Sequence, residues 1–352
     1  MKLKIFLCLL PLLTFAQIPN YYHTVNFNTS GDVLKNQLTT LITTTHTTSL
    51  PYTSGGTDVW DALRLTDQDP DDSNNIFLIY GWDDADEDGT NDRTRGKYAT
   101  CHTTSCNGLW VREHVYPRSL GTPNLGFEDA GSDAHHLRAI DYSLNNSRSN
   151  RKFDNGNGHA SVLSNGNFYP GDEYKGDVAR MMMYSYLRYP TQCLPKNVGV
   201  GSTSYSNYGD MLNLFLDWNI EDPVSEYELN RNNILQNLQG NRNPFIDNPY
   251  LATLIWNGQQ APDNWHALTL IKQEEKVVFL YPTCTKDFIY FNNSSHLTYK
   301  YTVINALGQV LSKNNTEGTI DLSGNADGIY YIKLENNNTI TTHKILLNAW
   351  KS

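Results

Sequence analysis

The alternation of polar and apolar positions divides the chain in two. Val33, Leu34, Leu38, Leu41 and Ile42 recur at helical spacing after the polar run Asn28, Thr29 and Ser30, which predicts a helix from Gly31 to Thr48. Thr57 to Leu65 reads as a short amphipathic helix, and the apolar run Ile76 to Tyr80 as a strand. The clearest helix is Gly176 to Tyr189, with Val178, Met181, Met182, Ser185 and Tyr186 on neighbouring faces. Two more are expected from Met211 to Trp218 and from Ser225 to Leu238. After Leu268 the period shortens. Between Val277 and Leu347 brief strand-like runs are punctuated by Gly308, Gly318, Gly324 and Gly328, the spacing of a small β-sandwich. The predicted fold class is α+β, with a boundary near residues 268–276: a helix-rich domain over 17–270 and a small all-β domain over 271–352.

Composition narrows the function classes. At 352 residues, with 39% hydrophobic and 18% charged, the chain is long enough for two or three domains with real cores and is not broadly disordered. The net charge of −10 excludes a generic basic nucleic-acid coat protein. It does not exclude a local basic groove, because residues 51–100 alone hold 12 Asp/Glu against 4 Lys/Arg.

The first residues have the form of a signal peptide over 1–16. Lys2 and Lys4 precede the apolar run Ile5 to Phe15, and Thr14 and Ala16 suit a cleavage site. The alternative is a buried N-terminal strand or helix. No later apolar stretch reaches the ~20 residues of a membrane span, so the expectation is a soluble, exported monomer that passes through the periplasm. Export suits a disulfide between Cys101 and Cys106; Cys8 falls in the leader, and Cys193 and Cys284 have no evident partner.

The densest polar cluster runs from Arg112 to Arg151. It holds Arg112-Glu113-His114, then Asp133-Ala134-His135-His136, then Asn145-Asn146-Ser147-Arg148-Ser149-Asn150-Arg151. Phosphodiester hydrolysis needs these parts: a near-neutral His to deprotonate water, oxygen ligands for a hard divalent cation, and Arg to grip phosphate. Each piece alone has a plainer reading, as a surface strand pair, a core His beside an exposed one, or a solvated loop.

Taken together the blocks resemble a known family. NGLWVREHVYPRSLG, SDAHHLRAIDYSLNNSRSNRKF, PGDEYKGDVARMMMYSYLRY and ELNRNNILQNLQGNRNPFIDNP, in order over Asn107 to Pro249, are similar to the endonuclease I family of secreted bacterial nucleases. The resemblance implies a ββα-metal (His-Me) finger in which Glu113 and Asn145 hold Mg²⁺, with Mn²⁺ or Ca²⁺ as substitutes, and His114 is the general base. Consecutive strand residues face opposite ways, so Glu113 and His114 share a site only if the strand end is irregular or the metal lies off the sheet plane. The resemblance also implies that Asp133 and His135 shape the finger from behind. Arg148 and Arg180 either bind phosphate or form structural ion pairs. Gln239 to Phe245 reads as scaffold. Where relatives carry a longer insert with a phosphate-gripping Arg, this chain has only residues 115–132; that Arg is absent or replaced by Arg118. The implied activity is hydrolysis of DNA and of RNA, through contacts to phosphates, with little sequence preference and 5′-phosphate products.

Two features lie outside that cluster. Asp84, Asp86 and Asp88 with Gly89 match the start of a calcium-binding EF-hand loop, but Arg95 stands where the bidentate Glu is required. The loop is either an acidic, solvated turn or a structural Ca²⁺ site. In the tail, YTVINALGQVL, TIDLSG, GIYYIKLENNN and THKILL over roughly Tyr281 to Leu347 resemble the type A sorting domain of type IX secretion. That resemblance implies an address read by the secretion machinery, and a protein released or held at the cell surface. The alternative is a carbohydrate- or nucleic-acid-binding sandwich, for which no aromatic platform stands out. The competing class for the whole chain is a non-enzymatic, Ca²⁺-stabilised adhesin, in which the Glu113, His114 and Asn145 constellation would be idle.

Overall fold

Two short strands and a helix carry the polar cluster, and the larger helices are built around them. The computed structural model describes residues 18–103, 105–265, 280–291, 298–336 and 339–348. The expected signal peptide and the expected boundary at 268–276 lie outside the described residues. The chain separates into a unit over Met1–Leu270 and one over Ile271–Ser352.

In the first unit, helix α1 (Gly31–Thr44) buries Leu34, Leu38, Leu41 and Ile42, whereas Val33 is 58% exposed. It stops short of the expected Thr48. The hydroxyls of Thr44 and Thr45 bond back to the carbonyls of Thr40 and Leu41, and the amides of Thr47 and Thr48 turn to the Gln239 carbonyl. A run of Thr competes for helical hydrogen bonds in this way. Helix α2 (Val59–Thr66) starts on a capping box between Asp58 and Asp61. Strand β1 (Asn75–Phe77) pairs with β2 (Thr94–Gly96). It is shorter than the expected Ile76–Tyr80 strand, because the chain turns through Tyr80, whose φ is 72°.

Strand β3 (Trp110–His114) runs antiparallel to β4 (Leu137–Asp141), in a register that sets Trp110 opposite Asp141 and His114 opposite Leu137. The Asp141 carboxylate then caps helix α3 (Tyr142–Arg148) by accepting from the amides of Ser143 and Leu144. A small pair, β5 (Ser161–Val162) and β6 (Phe168–Tyr169), follows.

Helix α4 (Lys175–Arg188) is the axis of the unit, with every residue from Gly176 to Leu187 buried. The helix expected over Gly176 to Tyr189 is thus enclosed on all sides, as a central helix must be. Short α5 (Pro195–Val198) leads to α6 (Asn213–Glu221) and to α7 (Glu226–Gln239), which opens on a capping box between Ser225 and Glu228. Short α8 (Pro244–Asp247) and α9 (Tyr250–Trp256) close the unit.

In the second unit, β7 (Leu280–Tyr281), β9 (Phe288–Phe291) and β12 (Thr319–Asp321) form one sheet in the order β12-β9-β7. Strands β8 (Cys284–Thr285), β10 (Tyr299–Asn305), β11 (Val310–Thr316), β13 (Gly328–Asn336) and β14 (Thr339–Leu347) form the other, in the order β11-β10-β13-β14-β8. Their inner faces share a core that includes Ile289, Phe291, Val303, Ile320, Ile332 and Ile345. Contrary to the sequence expectation, an aromatic face is present: Tyr281, Phe288 and Tyr290 stand exposed on the smaller sheet.

Candidate active site

The end of β3, the start of α3 and the turn after β3 enclose a cleft of about 700 Å³. Glu113, His114, Asn145 and Arg148 all line it, together with Arg112, Arg118 and Tyr52. The opposite facing expected for consecutive strand residues does not separate Glu113 from His114. His114 is the last residue of β3, and both side chains are buried. In a strongly acidic chain this cleft is locally basic, with three Arg around one carboxylate.

Each side chain has a defined support. His114 Nε2 lies 2.8 Å from the carbonyl of Gly131. A carbonyl only accepts, so Nε2 carries the proton and Nδ1 is left as the acceptor of the neutral ring. Burial, with His136 nearby, holds the imidazole well below its usual pKa, so it stays neutral. The Tyr52 ring stacks on His114 at 5.4 Å, and the Arg112 guanidinium lies between Tyr52 and Trp60, at 3.4 and 4.2 Å from their ring centroids. Such stacking fixes a guanidinium at a cleft wall.

Glu113 sits beneath the cleft. Arg148 Nε is 3.2 Å from its Oε1, yet the geometry falls short of a hydrogen bond, and both atoms lack a hydrogen-bond partner among the described residues. The Nη atoms of Arg148 are engaged elsewhere, by the carbonyls of Ser149 and Val115 at 2.9 and 2.8 Å. Burial outweighs the attraction of Arg148 and pushes the Glu113 carboxyl up to about 7. The buried Tyr80 phenol stands beside this pair. The half-buried Asn145 lines the same cleft.

The remaining expected residues do not line the cleft. Arg180 is wholly buried in α4, where Glu228 grips it at 2.6 and 2.7 Å and the Asp222 carbonyl takes a third bond at 2.8 Å. It does not reach the cleft, because α4 is enclosed on all sides. Asp133 and His135, expected to shape the finger from behind, do not line the cleft. Tyr184, Tyr189 and Gln239 donate to the Asp133 carboxylate at 2.8, 3.1 and 2.9 Å, and His135 Nε2 donates to the Asn241 carbonyl at 3.2 Å. Burial would raise Asp133, but the facing His135 and His46 hold its carboxyl well below the usual range. The histidine beside His114 is His136: their rings are 5.8 Å apart, and His136 Nε2 donates to the Ala130 carbonyl at 2.5 Å.

The acidic loop does not gather its carboxylates. Asp86 and Asp88 accept from the amides of Asp88 and Thr90 at 2.9 and 3.0 Å, and Asp84 accepts from Thr94 at 3.0 Å. Arg95 turns to Asp92 and to the helix-capping Asp141. Among the described residues no three Asp, Glu, His or Cys side chains converge on a point that a cation would occupy. Cys101 and Cys106 are joined by a disulfide at the cleft wall, and Cys193 and Cys284 are free.

Tyr52, which lines the cleft, and Tyr80, which stands behind it beside Glu113, were not singled out in the sequence, and His136 was named there only as one of a His pair. Tyr52 and Tyr80 lie far upstream of the polar cluster, and His136 differed from His135 by nothing but register.

Residues 30–250 match the model of the endonuclease I family. The chain belongs to that family. An extracellular ribonuclease of Bacillus subtilis (strain 168) is 38% identical over 259 residues, covering 70% of this chain and 81% of the relative. An extracellular ribonuclease of Bacillus amyloliquefaciens is 38% identical over 255 residues, covering 68% of the chain and 79% of the relative. Residues 279–348 match a secretion system C-terminal sorting domain. This endonuclease I family member is therefore a nuclease, a hydrolase of nucleic acid, that is secreted or held at the cell surface, and its tail addresses it to the secretion machinery. The adhesin alternative falls with that assignment. Among the described residues no helix is long and apolar enough to cross a membrane.

Proposed function

We propose that the chain is a metal-dependent endonuclease that cuts DNA and RNA with little sequence preference, using β3, β4 and α3 as a ββα-metal finger. The observation that carries the reading is the convergence of Glu113, His114 and Asn145 on one basic cleft. A divalent cation fits the donor set. Glu113 Oε1 is a buried carboxylate oxygen with no hydrogen-bond partner among the described residues, and Asn145 adds a neutral oxygen. Mg²⁺ is commonly held by one or two carboxylates, with water and substrate phosphate completing its shell. Bound there, the cation would supply neutralisation of the charge that develops at the scissile phosphate.

The residues of the chain do the rest. Gly131 fixes the His114 tautomer, so Nδ1 accepts a proton from water as the water oxygen attacks phosphorus. The bond from phosphorus to the 3′-oxygen breaks, solvent protonates that oxygen, and the 5′-phosphate stays on the downstream fragment. Arg112 and Arg118 orient the phosphates, while Arg148, its Nη atoms held by the Ser149 and Val115 carbonyls, positions Glu113 from below. Contacts of this kind carry no sequence information. The relatives named extracellular ribonucleases favour RNA among the substrates.

His114→Ala should lower cleavage of plasmid DNA and of RNA by about 10²–10⁴-fold while nucleic-acid binding survives. Near wild-type activity at neutral pH would remove His114 as the base. We also place the domain boundary near residue 271. A chain ending there should keep its nuclease activity in vitro and fail to leave its own cell, since every proposed site residue precedes the boundary. A well-folded truncation, with an unchanged far-UV spectrum but no activity, would make the tail part of the enzyme.

A further inference from the structure

Phe127 is half in water and packs against Tyr52 and Arg118 of the cleft wall, and nothing in the catalytic reading uses it. A Phe ring half in water and held in place by its loop has an informative setting. The loop that carries it is pinned on both sides. Leu125 and Ala130 are buried in the core, and Asn124 Oδ1 accepts from the Gly126 amide at 2.9 Å. A Cβ on Gly131 would lie 2.3 Å from the Gly126 carbonyl, so the loop closes on itself with no room for a side chain. The same loop supplies the Gly131 and Ala130 carbonyls that hold His114 and His136. Phe127 is thus fixed to the same frame as the proposed base.

Its neighbours are those of a stacking surface. The Arg118 guanidinium lies over the Phe127 ring at 3.8 Å from the centroid, and the Tyr52 ring meets it at 4.8 Å. Tyr52 in turn stacks on His114. An aromatic ring, a guanidinium plane and a phosphate-binding cleft in sequence are the means by which proteins hold unpaired bases. Every base has a π-face, so the contact is compatible with weak sequence preference.

We propose that Phe127, with Arg118 and Tyr52, is a nucleobase-stacking platform that seats one unpaired base beside the scissile phosphate. It makes single-stranded RNA and DNA better substrates than duplex, whose bases are already stacked. The inference rests on the reading of the His114 cleft as the site of hydrolysis.

The test pairs a protein variant with a substrate variant. Cleavage of a single-stranded oligonucleotide is measured linkage by linkage, with one abasic residue moved along the strand. In the wild type, loss of the base at one fixed distance from a linkage should lower kcat/KM there by roughly 10-fold or more, mainly through KM. Phe127→Ala should show the same loss on the intact strand and no further loss with the abasic residue, while duplex cleavage stays within about 2-fold of the wild type. Phe127→Trp should retain the wild-type preference, and Phe127→Leu should not. Additive losses, an equal loss on duplex, or Leu performing as well as Trp would overturn the platform. Cleavage that survives His114→Ala would instead overturn the reading of the site, which separates the two failures.

Discussion

Two buried Arg–Glu pairs in the nuclease unit have the same composition and opposite character. In the pair of α4 and α7, Arg180 meets both oxygens of Glu228 at 2.6 and 2.7 Å, and Glu228 also takes the Ser225 amide at 3.0 Å. In the cleft, Arg148 and Glu113 approach to 3.2 Å as an ion pair without forming a hydrogen bond, and Glu113 Oε1 keeps no hydrogen-bond partner among the described residues. Burial raises Glu113 to about 7 despite Arg148. Buried polar groups are almost always satisfied within a protein, so the completed pair reads as scaffold. The incomplete pair reads as a place where something else binds. The difference lies in unused bonding capacity, which residue identity alone cannot reveal.

The comparison breaks first on activity. Glu113→Gln keeps shape and volume but removes the charge, and it should lower nuclease activity by roughly 10²–10³-fold, the scale of metal-assisted charge stabilisation. Metal titration calorimetry should show weaker Mg²⁺ binding by the same variant; wild-type affinity would take Glu113 out of the metal site. Arg180→Met should do the reverse. It strands Glu228 in the core and should cost about 3–5 kcal/mol of stability, while turnover per folded molecule changes little. A folded, fully stable Arg180→Met protein with lost activity would move Arg180 into the chemistry.

The smallest effect is one of pH, with a chelator present so that no cation titrates with the carboxylate. Glu113 has an ordinary value of 4.5 and is raised to about 7 in the folded chain. Between those values the folded state holds a proton that the unfolded state has released, so stability falls as pH rises through that window. Urea unfolding at pH 5 and pH 8 should therefore show Glu113→Gln gaining on the wild type at the higher pH, by roughly 3 kcal/mol at most. An equal difference at both pH values would mean that burial does not destabilise the carboxylate. Asp133 acts in the opposite sense: its lowered value gives stability above about pH 4 that is lost on acidification.

Much of the frame was legible because its signals are local. The spans of the helices expected at Thr57–Leu65 and Ser225–Leu238, the period of α1 and the short strand runs of the tail each depend on neighbours within a few residues. The strand that stops early and the role of Arg180, left open between phosphate binding and an ion pair, share a cause. Ile76 to Tyr80 is uniformly apolar and ends in a turn, because Tyr80 folds back toward Glu113 rather than extending the strand. Arg180 stands in a block of the family pattern, yet its partner lies 48 residues downstream.

By itself the sequence determined the two-unit division of pattern, the family to which the chain belongs, the sorting tail, and the order of the Arg112–His114, Asp133–His136 and Asn145–Arg151 blocks. Those follow from residue types and short spacings, which survive without coordinates. Only the tertiary structure decided that Glu113 and His114 share one cleft, that His136 and not His135 stands beside His114, and that Arg148 faces the cleft while Arg180 is enclosed. It alone brought Phe127 against Tyr52 of the cleft wall. Such facts depend on which atoms are left unsatisfied or exposed after packing, and packing joins residues that no short spacing connects.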